Sequence, residues 1–351
     1  MVESLPNTKA NNFSGHVAER FCPESFPESN YVIAGREGVS DGDWFFCMFD
    51  HPDILGLRVG YQCGTIDRSD YGGGYQKDFL QLHLEIVTRD EILSWIASGK
   101  YPSQQVESFS DPVEIVLQGE EKEIFRVEGW PNRKMEFKSD DGRSSVDLSL
   151  DVPWVVLLPD FILTKIVFGM WWTAGPLRAT VRLDGKQYDL SGYCFYDHAR
   201  TACQVSDAES LGMYLYTPVR FDDGSVFMSY YAEDHRSKKI EYYSFGMLMN
   251  AGGKAMEWYS DLDLVDIEFD RDGIPTAWEL TATNSGSSIN LKSNSYSPKA
   301  FSSWGFGELP QGRSSYKYLP NIFTCDAVIQ SASDRISRKG SGMSEYYLTE
   351  R

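Results

Sequence analysis

The 351-residue chain has no lysine- or arginine-rich run, and its formal net charge is −18. Such a surface repels phosphate backbones and anionic headgroups, which excludes nucleic acid as a partner. No apolar run approaches the roughly 18 residues a membrane-crossing helix needs. The polar start MVESLPNTKANNFSG lacks the apolar core of a secretion signal, so a cytoplasmic location is expected, without a transmembrane segment. The six cysteines, Cys22, Cys47, Cys63, Cys194, Cys203 and Cys325, show no C-x-x-C spacing, which argues against metal fingers and redox motifs and for free thiols. Five histidines (His16, His51, His83, His198 and His235) form no closely spaced pair, so no metal is expected. P-loop, G-x-S-x-G and H-E-x-x-H patterns are missing, and the glycines at 72–74 do not open a helix. No cofactor is implied.

What the chain does have is aromatic surface and alternation. Aromatic residues make up 14% of it, a composition suited to strands and to pockets for apolar ligands. Alternation by two dominates from about residue 29, with strand-like pieces at 43–50, 57–63, 79–86, 113–118, 123–128, 133–138 and 145–151. The turns between them are rich in Asp-Gly: SDDGR, Asp184-Gly185, DDG at 222–224 and RDG at 271–273. One short helix is expected, with Thr88 as N-cap, Glu91 as capping-box partner and Gly99 as stop. The segment 153–175 is apolar and irregular and delivers Trp171 and Trp172. The pattern implies an all-β protein of antiparallel barrels or sandwiches, with one or two short helices. Length implies two domains: a polar lead-in at 1–28, then 29–205 and 206–351.

One segment carries candidate chemistry. In SGYCFYDHAR, residues 191–200, strand alternation puts Tyr193, Phe195 and Asp197 on one face and Cys194, Tyr196 and His198 on the other. A carboxyl in a row of rings is costly unless it is hydrogen-bonded or used. In apolar surroundings a carboxyl tends to keep its proton, which equips it as a general acid. The plainer alternative is that Asp197 and His198 serve only local pairing at a strand end. Arg178 and Arg200 are candidates to clamp an anionic head group, with surface salt bridges as their commoner fate. The pair Asp234-His235 lies in a charged, turn-like stretch and reads as a solvated loop.

The stretch GPLRATVRLDGKQYDLSGYCFYDH resembles a segment of the carotenoid 1,2-hydratase (hydroxyneurosporene synthase)/AttH-like family, in which a hairpin leads into a glycine-containing strand ending in Asp-His. Two further elements stand in the expected order: the hairpin MYLYTPVRFDDGSVFMSYY, and the closing G-x-G-x-x-E strand, here Gly340 to Glu345. The matches span residues 171–347, about half the chain.

The resemblance implies two tandem lipocalin-like (calycin) domains around an apolar tunnel. It also implies acid catalysis on an isoprenoid- or polyketide-like molecule, as in hydratases and lipocalin-type Diels–Alder cyclases. By position Asp197 matches the proton donor, supported by Tyr196 and His198 from behind. Trp171 or Trp172 matches an aromatic facing the developing cation; beside the resemblance, strand alternation adds Tyr193 and Phe195, and residue type adds Arg178, as further substrate contacts. Phe195 stands where the hydratases have Tyr, and Cys194 where they commonly have Gly, so carotenoid hydration itself does not carry over. Two functions stay open: a cofactor-free lyase, cyclase or isomerase, and a non-catalytic carrier of a hydrophobic ligand. Transient membrane contact to collect substrate is compatible with either.

Overall fold

The computed structural model describes residues 8–11, 17–26, 39–68, 74–100, 115–118, 123–158, 167–202, 211–234, 236–271, 273–295 and 316–349. Two compact units partition the chain: one contains Glu19–Val205, the other Ser206–Arg351 together with Thr8–Ala18. The described residues contain strands and two 3-10 turns, Pro23–Ser25 and Glu241–Tyr243, and no α-helix.

The strands up to Ala202 are β1 (Thr8–Asn11), β2 (Val17–Phe21), β3 (Val39–Phe49), β4 (Ile54–Arg68), β5 (Gly74–Thr88), β6 (Ile92–Lys100) and β7 (Ile115–Gln118). They continue with β8 (Glu123–Glu128), β9 (Asn132–Lys138), β10 (Ser144–Asp151), β11 (Val155–Leu157), β12 (Val167–Leu183) and β13 (Lys186–Ala202). The main antiparallel path runs β6-β5-β4-β3-β13-β12-β10-β9-β8-β7, and β11 bridges β12 to β2. The path curls until one face meets itself. Trp95 of β6 touches Phe137 of β9, ring centroids 5.6 Å apart, and Tyr61 of β4 reaches Phe125 of β8 at 5.5 Å. That inner face is the core, built from alternate residues such as Phe45, Val59, Leu84, Met135, Leu148 and Val181.

The second unit holds β14 (Leu211–Phe221), β15 (Val226–Asp234), β16 (Phe245–Met249), β17 (Met256–Tyr259), β18 (Asp261–Phe269), β19 (Pro275–Thr283), β20 (Ser287–Ser295), β21 (Tyr316–Ser331) and β22 (Arg335–Thr349). Their order is β17-β16-β15-β14-β22-β21-β20-β19-β18. This sheet curls too, since Ser287 of β20 donates to the Tyr259 hydroxyl of β17 at 3.1 Å. Its core includes Leu215, Phe227, Leu262, Leu280, Leu291 and Phe323.

The Asp-Gly turns join consecutive strands. At Asp184-Gly185 both residues have positive φ, 48° and 83°, the two-residue hairpin geometry that matches strand twist.

The expected helix after Thr88 is instead the β5–β6 hairpin. Its capping-box signal is spent on the turn: Thr88 Oγ1 accepts from the Glu91 amide at 3.0 Å, and the Thr88 amide donates to the Glu91 carbonyl at 2.9 Å. A Thr hydroxyl satisfies a turn amide as readily as a helix amide, and pairing with β5 decides between them. Leu93 and Trp95 then pack on the core while Ser94 is exposed, a period of two. Within the stretch expected to be irregular, 155–157 and 167–175 are strand, and 159–166 lie outside the described residues. Asp234, expected in a loop, ends β15; His235 lies outside the described residues.

Candidate functional site

Both faces of β13 are buried around residues 194–198, and they carry different chemistry. On the inner face, Asp43 of β3 stands directly opposite both His198 of β13 and Tyr61 of β4. Its Oδ1 meets His198 Nδ1 at 2.7 Å. Its Oδ2 accepts from Tyr196 at 2.9 Å, from Arg133 Nη2 at 3.1 Å and from the Tyr61 hydroxyl. Arg133 comes from β9, across the barrel. The turn before it presents the Gly129 carbonyl to Arg133 Nη1 at 3.1 Å. Gly129 sits at φ +82°, and a Cβ there would overlap the Asn132 carbonyl oxygen.

Burial would push the Asp43 carboxyl up; the His198 hydrogen bond, the His198 and Arg133 charges and the Tyr61 hydroxyl outweigh it and hold the pKa below the usual value. Burial first, then the Asp43 charge, push Tyr61 far above its ordinary range. Burial does the same to Tyr196, so both phenols stay protonated donors. Asp43 and Arg133 thus form a buried ion pair whose charges offset each other, with both Asp43 oxygens accepting hydrogen bonds. The aromatic side of the cluster is Trp171, stacked on His198 at 5.2 Å and edge-on to Tyr196 at 4.9 Å. Phe45 stacks on Tyr196 at 4.2 Å.

On the opposite face, Asp197 is 3% exposed and lies between two indoles in register, Trp172 of β12 and Trp44 of β3. Phe195 is next on the same face, opposite Ala174 and Phe46, with the Tyr193 ring 5.6 Å away. Further along the row are Gly60 and His83, and beside them Arg58 donates to Glu85 at 2.9 Å. Burial, then the Arg58 charge, pull His83 down to about 2. It is therefore neutral, and its 3.7 Å approach to Glu85 is a contact rather than an ion pair.

The structure thus brings Asp197, Trp172, Phe195 and Tyr193 to one face, and Tyr196, His198 and Trp171 to the other. Arg178 shares the Trp172 face of β12 by alternation but lies away from the buried row. It is exposed six residues along β12 from Trp172, on a shallow, open depression that also carries Lys134, Glu136, Asp147 and Asp189. The Arg200 side chain lies outside the described residues. Sequence reasoning missed Asp43, Tyr61, Arg133 and Trp44. Asp43 and Trp44 open the apolar run DWFFCMFD, a visible signal; Arg133 had none, because its role depends on barrel closure.

Two curled antiparallel sheets, one per unit, define a protein of the tandem lipocalin-like class. No family model matches the sequence, and no curated protein matches it. Solved structures do match. An AttH-type protein from Nitrosomonas europaea aligns with TM-score 0.59 and 10% identity, over 92% of this chain and 96% of its own. Kievitone hydratase from Nectria haematococca aligns with TM-score 0.53 and 11% identity, over 99% of each chain. The fold is the one these two proteins share.

Proposed function

We propose that the chain is a cofactor-free lyase or cyclase that works by acid catalysis on a hydrophobic small molecule, with Asp197 as the proton donor. The observation that carries this reading is a carboxyl 3% exposed, held between Trp172 and Trp44 beside Phe195. Indole faces stabilise positive charge and exclude water, and a positioned general acid contributes about 10²–10⁴-fold.

In a hydration, the carboxyl gives its proton to one alkene carbon. Water adds to the other carbon and loses a proton that restores the carboxyl, so the product gains one water. In a cyclisation or isomerisation the proton is returned from a neighbouring carbon and the mass is unchanged. Tyr196 and His198 position the strand: their bonds to Asp43 tie β13 to β3 while Asp197 faces the other way. The similarity in fold to kievitone hydratase supports a hydratase-like role.

The test is incubation of the purified chain with a panel of isoprenoid and polyketide alkenes, followed by chromatography and mass spectrometry. Gain of one water, or a new isomer, in the wild type with loss of at least 100-fold in Asp197→Asn supports the reading. A bound compound recovered unchanged after long incubation identifies a carrier instead, and full turnover by Asp197→Asn removes the acid role.

A further inference from the structure

Arg20 lies on β2, and the ladder places it on the same face as Asp197. Arg20 pairs with Val156, Val156 with Trp172, and Trp172 with Asp197, so the four form one row across adjacent strands. Its side chain is 1% exposed, yet its Nε and Nη1 have no hydrogen-bond partner. A buried guanidinium without acceptors is among the costlier arrangements a fold can hold, and guanidinium does not escape by losing its proton. Burial does pull the Arg20 pKa below its ordinary value, the signature of a charge with little local compensation.

The contrast within this one chain is informative. Arg58 has Glu85 at 2.9 Å, and Arg133 has Asp43 at 3.1 Å. With 51 acidic residues against 33 basic ones, carboxylates are abundant, yet among the described residues none bonds Arg20 Nε or Nη1. A guanidinium presents a planar fork of donors suited to an anionic oxygen.

We propose that Arg20 binds an acidic oxygen, a carboxylate or an ionised phenol or enol, at one end of the substrate, so that the natural substrate is an elongated apolar acid. The three strand steps of the row set Arg20 and Asp197 roughly 14 Å apart at the backbone, with the fully buried, apolar Val156 and Trp172 between them. The acidic end docks at Arg20 and the reacting double bond lies at Asp197. This rests on the reading that the Asp197 face receives substrate, and it adds which end of the molecule goes where.

The probe is cis-parinaric acid, a fluorescent long-chain carboxylate, titrated against its methyl ester on the full chain. Wild type should bind the acid at least tenfold more tightly than the ester. In Arg20→Met the acid should fall to the affinity of the ester while ester binding stays unchanged, and Arg20→Lys should keep part of the preference. Free of ligand, Arg20→Met should melt no lower than wild type, because it removes an uncompensated buried charge; a lower melting point counts against the proposal. If the Met variant does not fold, Arg20→Gln replaces it with the same expectation. Equal affinity of wild type for acid and ester, or an acid preference that survives in Arg20→Met, overturns the proposal and leaves the Asp197 reading standing. Failure of wild type to bind either compound overturns both.

Discussion

At the scale of single residues, the two faces of β13 differ in how far their polar groups are matched. Asp43 spends its oxygens on His198, Tyr196, Tyr61 and Arg133, an arrangement that specifies the fold and leaves little for a ligand. Removing the central charge strands Arg133 inside the barrel. Asp43→Asn should therefore cost about 3–5 kcal/mol, read as a lowered urea midpoint of the full chain. A change under about 1 kcal/mol would mean that the cluster is dispensable. The separation of Asp197 from Tyr196 and His198 was legible from alternation alone. What sits behind them was not, since Asp43 and Arg133 are 90 positions apart and meet only when the sheet curls.

At the scale of elements, hairpins were read well because Asp-Gly turns and period-two alternation are local signals. The β5–β6 connection shows where local signals stop deciding. Thr88 and Glu91 suit a helix start and a tight turn equally, and the packing of Leu93 and Trp95 on the core selects the strand. Thr88→Ala removes the hydroxyl that accepts from the Asp90 and Glu91 amides and donates to the Glu91 carbonyl, all at an exposed turn, and should cost about 0.5–1.5 kcal/mol, with no change in far-ultraviolet circular dichroism. A shift of the spectrum toward helix would contradict the hairpin. The G-x-G-x-x-E element also acquires a physical reason. A Cβ at Gly342 would overlap the Pro218 carbonyl oxygen of β14 and lie 2.7 Å from the Phe323 ring, while Glu345 is buried and accepts from the Tyr214 hydroxyl at 3.3 Å. Gly342→Ala should destabilise by about 1–3 kcal/mol, seen as a lower urea midpoint, and an unchanged midpoint would show that the strands can move apart.

At the scale of the whole molecule, buried titratable groups set the acid limit. His83 is protonated near its ordinary value of roughly 6.5 once unfolded, but only near about 2 when folded. The unfolded chain therefore binds the extra proton below pH 6.5, and stability falls by up to about 1.4 kcal/mol for each further pH unit. Asp43 has the opposite protonation logic and the same direction. Its depressed folded pKa supplies stability above the usual carboxylate range, and that stability is lost as pH falls through it. Above about pH 4.5 only His83 contributes, and below about pH 4 both groups do. His83→Gln should flatten the urea midpoint between about pH 6.5 and 4.5 and leave only the carboxylate part of the loss below 4. An unchanged slope in the upper window would show that His83 is not the sensitive group.

The central claim is that substrate lies on the Asp197 face, between Trp172 and Trp44, with the Asp43 cluster on the other side of the strand. The most direct measurement is a crystal structure of the full chain with a bound apolar acid such as cis-parinaric acid. Electron density should run along the Trp172 row, with the apolar chain passing within contact of the Asp197 carboxyl and the carboxylate at Arg20. Density confined to the inner face, against His198 and Tyr196, or to the open depression beside Arg178, would contradict it.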